Sequence, residues 1–179
     1  TETNMIRKII IFVFISLVFL VTCNSNDNHI KEISDFSLID LNPNSPTFNK
    51  KIGPSYFKGN ITGYYFGDAG WGLCRSRFGS LDKLYNELLK DGLNINFIGI
   101  NGISTKDRDY NGMISGRSLP WVQDNEDSRV WESWDVVIRD LILLDKSGHY
   151  FDMFNLTDFD ISKDSNYQLL KEKLINNSK

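Results

Sequence analysis

Thiol chemistry is the first possibility raised by the residue types. The chain has two cysteines, and their neighbourhoods differ. Cys74 follows Gly70-Trp71-Gly72-Leu73 and precedes Arg75 and Arg77, so one sulfur lies between a glycine-rich turn and a basic stretch of predicted helix. A thiolate at the first turn of a helix is stabilised by unpaired backbone N–H groups and by the positive helix end, and can then attack a peroxide or a disulfide. Arg75 and Arg77 would add positive potential. The competing reading of Cys74 is an inert core thiol, since free cysteine is among the most buried residue types. Cys23 instead closes an apolar run. Two cysteines are too few for the disulfide framework of a small secreted scaffold, so each is read by its own surroundings.

The remaining candidates are weaker. Asp107-Arg108-Asp109-Tyr110-Asn111-Gly112 matches the first half of a calcium loop, but its twelfth position is Ser118 and lacks the bidentate Glu the ion needs. It reads as a solvated loop. Asp124-Asn125-Glu126-Asp127 reads as a charged surface turn, and Trp121, Trp131 and Trp134 read as packing residues. His29 and His149 have no partner at zinc-ligand spacing, so neither metal nor cofactor is expected. A formal net charge of -3 gives no overall electrostatic reason to expect a nucleic-acid partner.

Positioning Cys74 requires a strand on one side and a helix on the other. Ile61–Phe66 is apolar, aromatic and β-branched and stops at Gly67-Asp68-Ala69-Gly70, which predicts a buried strand feeding a loop. Phe78, Leu81, Leu84, Tyr85, Leu88 and Leu89 recur at three- and four-residue steps, and Asp91-Gly92 supplies the stop signal of a helix. Ile95–Ile100 is the next strand. Strand, helix, strand predicts a parallel pair with a right-handed crossover. The stretch 101–118 reads as a loop holding at most one helical piece, Leu119–Val122 as a short strand and Val130–Trp134 as a short helix or turn. Asp140–Asp145 is the strongest strand, apolar on both faces. Lys146-Ser147-Gly148 turns it into Tyr150–Phe154, a hairpin at the antiparallel end of the sheet. Tyr167–Ile175 predicts an amphipathic helix with Leu169, Leu170 and Leu174 on one side and its lysines towards water. The fold class is α/β. Residues 30–58, broken by Asn42-Pro43 and Gly53-Pro54, read as an N-terminal arm on a main domain spanning 59–179.

The front end, 1–29, reads as a secretory signal peptide with a lipobox and polar tether, the alternatives being an ordinary cleaved signal or an uncleaved anchor. Arg7 and Lys8 precede Ile9–Val21, a run without charge that is shorter than the about 20 apolar residues a spanning helix needs. Thr1–Asn4 lie upstream of Met5 and are set aside. Leu20-Val21-Thr22-Cys23 resembles the lipobox of bacterial lipoproteins, with Thr22 where that pattern prefers Gly, Ala or Ser. The resemblance implies lipidation of Cys23, a polar tether over 24–28 and a working part outside the cytoplasm, in the periplasm or cell envelope, held at the membrane by its N-terminal anchor.

The order strand, cysteine loop, helix, strand, connection, strand, hairpin, helix resembles the thioredoxin arrangement. Gly70–Arg75 stands where a thioredoxin-like protein puts its Cys-x-x-Cys. Leu119-Pro120-Trp121 followed by an acidic loop, Val130-Trp131, Arg139–Asp145 and Ser147-Gly148 resemble the N-terminal domain of selenoprotein P and its bacterial relatives, over about Phe57–Leu174. The resemblance implies a three-layer α/β/α sandwich with a mixed sheet. It also implies an oxidoreductase whose first active-site residue attacks and whose second, three residues later, resolves the intermediate. Cys74 fills the second position and Trp71 the first, and tryptophan cannot be the nucleophile. Two readings stay open: Trp71 is genuine in a one-thiol or redox-inactive relative, or position 71 is selenocysteine, whose UGA codon is easily translated as Trp. The cis-proline of thioredoxins is also missing, because counting back from Asp145 places Arg139 there. A cis bond before a non-proline residue costs about 3 kcal/mol, so a trans bond is expected. Arg75 and Arg139 would give a cationic binding face. The implied partners are a peroxide or disulfide substrate and an external thiol reductant, thioredoxin- or glutathione-like. The alternative is a non-enzymatic binding or scaffold module.

Overall fold

A computed structural model describes residues 32–178; Cys23 and the predicted signal segment lie outside them. In chain order the elements are β1 (Leu38–Ile39), β2 (Lys51–Ile52), β3 (Ile61–Gly67), α1 (Gly72–Lys90), β4 (Ile95–Asn101), α2 (Asn111–Ile114), β5 (Trp121–Gln123), α3 (Val130–Ser133), β6 (Asp140–Leu144), β7 (Tyr150–Asn155) and α4 (Asp164–Ser178). The main sheet has five strands in the order β5-β4-β3-β6-β7. β3 pairs parallel with β4, and β4 with β5, while β6 runs antiparallel to both β3 and β7. The sheet is therefore mixed, with its parallel part on the side that carries Cys74.

Alternation along the three central strands divides the core between two faces. Ile61 and Tyr65, Ile95 and Phe97, and Leu141 and Leu143 face α1 and α4. Tyr64 and Phe66, Ile98 and Ile100, and Ile142 and Leu144 face the other way, where Phe36, Leu38, Ile52 and Phe57 of the arm pack together with Val130 and Trp134. Burial on both sides explains why these strands read as continuous apolar runs. The second outer layer consists of the arm and the single turn α3, with no long helix. The arm is joined to the sheet edge by the Leu41 amide, which donates to the Trp121 carbonyl at 2.8 Å, and by an isolated bridge between Asp40 and Val122.

α1 buries Phe78, Leu81, Leu84 and Leu88 completely, each contributing about 1.5–3 kcal/mol of transfer free energy. Leu89, expected on the same face, is exposed. The helix ends as its stop signal predicts: Gly92, at φ 76°, donates to the Leu89 carbonyl, and Leu93 donates to that of Leu88. α4 is longer than predicted at both ends, and its buried stripe is Tyr167, Leu170 and Leu174. Leu169 faces solvent, and Lys171 reaches across to Glu87 of α1 at 3.2 Å. Among the described residues, no helix is long and apolar enough to cross a membrane.

Candidate active site

The loop between β3 and α1 is fixed by hydrogen bonds before the helix begins. Asp68 accepts the Gly70 amide on its carboxylate at 2.7 Å and the Trp71 amide on its carbonyl at 3.2 Å. Arg108 holds the same carboxylate at 3.3 Å. The Ala69 amide donates to the side chain of Asn101 at 3.1 Å. Asn101 is fully buried at the end of β4, and its Nδ2 donates to the Thr105 carbonyl and to Gln123 of β5. One amide side chain thus ties the active loop to both neighbouring strand ends.

Trp71 is the N-cap of α1, in extended conformation, and no side chain caps the helix there. The Arg75 amide makes the first helical hydrogen bond, to the Trp71 carbonyl at 3.1 Å. Position 71 is 52% exposed, whereas Cys74, a turn further on, is 0% exposed and carries a free thiol. The Tyr65 hydroxyl donates to the Cys74 carbonyl at 3.3 Å, and its ring stacks on Phe78. Burial, and after it the adjacent Cys74, push the Tyr65 hydroxyl well above its ordinary value, so it remains a protonated donor.

Arg139 approaches from the opposite side. Its Nη1 lies 3.9 Å from the Cys74 sulfur, its Nε donates to the Thr157 hydroxyl at 2.7 Å, and its guanidinium stands 5.9 Å from the centre of the Trp71 ring. The described residues contain no cis peptide bond, so the bond before Arg139 is trans. Arg139 instead has φ 72°, a left-handed conformation that costs an L-residue about 1–2 kcal/mol. Its amide bonds the Phe66 carbonyl at 2.7 Å and its carbonyl accepts the Leu156 amide at 2.8 Å, which holds the conformation.

The structure therefore brings Trp71, Cys74, Arg75 and Arg139 together at one helix start. Arg75 donates to the Ala69 carbonyl at 3.0 Å. Arg77, expected to add potential near the thiol, is instead buried in an ion pair with Asp160 at 2.5 Å. Asp124 departs from the surface turn expected of it: it is buried, and its carboxylate receives the amides of Asn125, Val130 and Trp131, which starts α3. Trp131 and Asp124 line a cleft of about 410 Å³ with Gly102, Ser104, Glu126 and Glu132, beyond the ends of β4 and β5. Sequence reasoning missed Asn101 and this cleft. The one signal for Asn101 was a polar residue ending an apolar strand.

No family model matches the sequence, and no curated protein matches it. Solved structures do match. The chain is similar to a Bacteroides thetaiotaomicron protein assigned as a protein disulfide isomerase, with TM-score 0.61 and 16% identity over 83% of this chain and 89% of that one. It is similar to the thioredoxin domain of a thiol-disulfide oxidoreductase from Bacteroides vulgatus, with TM-score 0.58 and 20% identity over 81% and 97%. It is also similar to yeast Sco1 with copper bound, with TM-score 0.56 and 17% identity over 71% and 84%. At these identities the likeness is one of fold, and that fold is thioredoxin-like.

Proposed function

We propose that this chain is an extracytoplasmic thiol- or selenol-dependent oxidoreductase that reduces a peroxide or a disulfide at positions 71 and 74. An external thiol, thioredoxin- or glutathione-like, would restore it. The observation carrying this reading is the unequal exposure of two positions one helical turn apart. Position 71 stands open at an uncapped helix start, and the Cys74 sulfur lies beneath it beside a guanidinium. That is the layout needed for an attacking group in front and a resolving thiol behind. Selenocysteine at position 71, as in selenoprotein P relatives, would supply the attacking group. The domain limits 30–58 and 59–179, export and tethering through lipidated Cys23 belong to the same proposal and rest on the sequence of the first 29 residues and the composition that follows. Copper, present in the yeast Sco1 structure, is not part of it.

The test is the codon for residue 71, together with turnover of the Trp71→Cys variant. A UGA codon, or peroxide or disulfide reduction by Trp71→Cys that disappears in Trp71→Cys/Cys74→Ser, supports the proposal. A UGG codon with no turnover in either residue-71 form supports a second reading: a redox-inactive binding or scaffold module. That reading is favoured by the full burial of Cys74 and by the contact of Trp71 with Arg139.

A further inference from the structure

Charge around the active loop runs against that of the whole chain. The chain carries a net -3, yet the guanidiniums of Arg75, Arg108, Arg117 and Arg139 all meet the segment 68–75. Of these, Arg108 alone is within ion-pair distance of a carboxylate, that of Asp68. Arg75 donates to the Ala69 carbonyl, Arg117 to the carbonyls of Gly112, Met113 and Arg75, and Arg139 to the Thr157 hydroxyl. Elsewhere in the described residues, Arg77 is paired with Asp160 and Arg129 with Glu132. The three arginines that lack a carboxylate therefore converge on one place. Burial draws the Arg117 guanidinium below its ordinary value; the pull of Asp82 opposes this, and the charge of Arg75 makes the smallest contribution, in the same direction as burial.

Trp71 adjoins these charges. Arg139 stands 5.9 Å from the centre of its ring, and Nη2 of Arg75 stands 3.7 Å from where a Cβ on the neighbouring Gly72 would be. Guanidinium forks match carboxylates in two-point hydrogen bonds, and here the donors of Arg75 and Arg139 meet neutral oxygens and the Cys74 sulfur.

Resting on the one-thiol form of the reading above, in which Trp71 is genuine and Cys74 itself attacks, we infer that the 71–74 site takes a disulfide carrying carboxylates close to its sulfurs, in preference to a cationic one. The carboxylate pairs with Arg139 and Arg75. Pairing draws Arg139 away from Trp71 and from the sulfur it covers, so the contact that recruits the substrate also opens the route to Cys74. The Cys74 thiol gives its proton to solvent and its sulfur attacks one sulfur of the disulfide. A new S–S bond to Cys74 forms, the old S–S bond breaks, and the other half leaves as a thiolate with the bonding pair.

The test treats the reduced full chain, at low salt, with oxidised glutathione (carboxylate-rich), cystamine (cationic) and dithiodipyridine (uncharged), and follows the mixed disulfide at Cys74 by mass spectrometry. Oxidised glutathione should outpace cystamine about tenfold relative to their intrinsic reactivities, a gap that salt closes. The ratio should fall towards one in Arg75→Gln/Arg139→Gln. A ratio already near one in the parent chain, or inverted, overturns the inference. Modification by none of the three probes overturns the one-thiol form of the reading, and quenching of Trp71 emission then judges the charge preference separately. Iodide outdoing caesium, with the difference lost in the double variant and in Trp71→Phe, keeps the anion preference, and equal quenching rejects it.

Discussion

At φ 72° Arg139 occupies backbone space that glycine enters freely, yet the residue there is one of the longest side chains available. The strain is offset by what the side chain reaches: the Thr157 hydroxyl, the Trp71 ring and the Cys74 sulfur. Arg139→Ala and Arg139→Gly remove the same contacts, but only the glycine relieves the backbone. Urea denaturation should therefore find Arg139→Gly more stable than Arg139→Ala by about 1 kcal/mol. Equal stabilities would mean that the left-handed conformation carries no strain. The sequence located Arg139 by its distance from Asp145 and gave the trans bond, because proline geometry is a local rule. Its left-handed turn was not legible, since it is imposed by bonds to Phe66 and Leu156, which are remote in sequence. For the same reason the sequence is silent on Asn101, which is defined by the Ala69 amide of another loop. Asp124 reads as part of a surface turn because a polar residue just after a strand looks the same whether it meets water or the buried amides of Val130 and Trp131.

Between elements, α1 and α4 are joined by their leucines and by one polar clasp. Lys171 of α4 lies 3.2 Å from Glu87 and 3.5 Å from Asp91. Burial acts to raise the Glu87 carboxyl, but Lys171 first, then Tyr167 and Lys83, together outweigh it and hold the group below its ordinary value of 4.5. A carboxylate depressed in the folded state contributes stability above its unfolded value and loses it as pH falls through the lower, folded one. The melting temperature of Glu87→Gln should lie below that of the parent chain near neutral pH, with the gap closing on acidification below that ordinary value. A gap unchanged in acid would detach the clasp from stability. The apolar half of this contact was largely legible: Phe78, Leu81, Leu84 and Leu88 follow helical spacing, and all four are buried. Leu89 and Leu169 were misplaced because each adjoins a buried leucine, and neighbours on a helix point about 100° apart. Spacing from Tyr167 to Leu170 and Leu174 selects the stripe that packs. The extra first turn of α4, starting at Asp164, has no apolar residue to announce it.

Across the whole molecule, the arm closes the open edge of the sheet beside the active loop's supporting strands. Asp40 is fully buried, and its carboxylate receives the amides of Asn42 and Trp121 and the hydroxyl of Thr47. Asp40→Ala leaves those donors without an acceptor and should cost about 3 kcal/mol in urea denaturation, accompanied by new protease cleavage between β1 and β2. Asp40→Asn, which still presents one oxygen to the two amides, should lose less. Loss of stability without new cleavage would show that the carboxylate supports the sheet edge and does not hold the arm. The main strands were readable from continuous apolar runs, but this latch joins residues some eighty positions apart, and no local pattern encodes it. The position of β3 has a further consequence. It is flanked by β4 and β6 and buried on both faces, so its amide hydrogens should be the last to exchange with deuterium, released only when the molecule opens entirely. The strand that feeds the active loop is thus a stationary mount. Breathing that admits solvent to the Cys74 sulfur belongs to what stands above that mount, the side chains and the uncapped first turn of α1, on a timescale far shorter than unfolding.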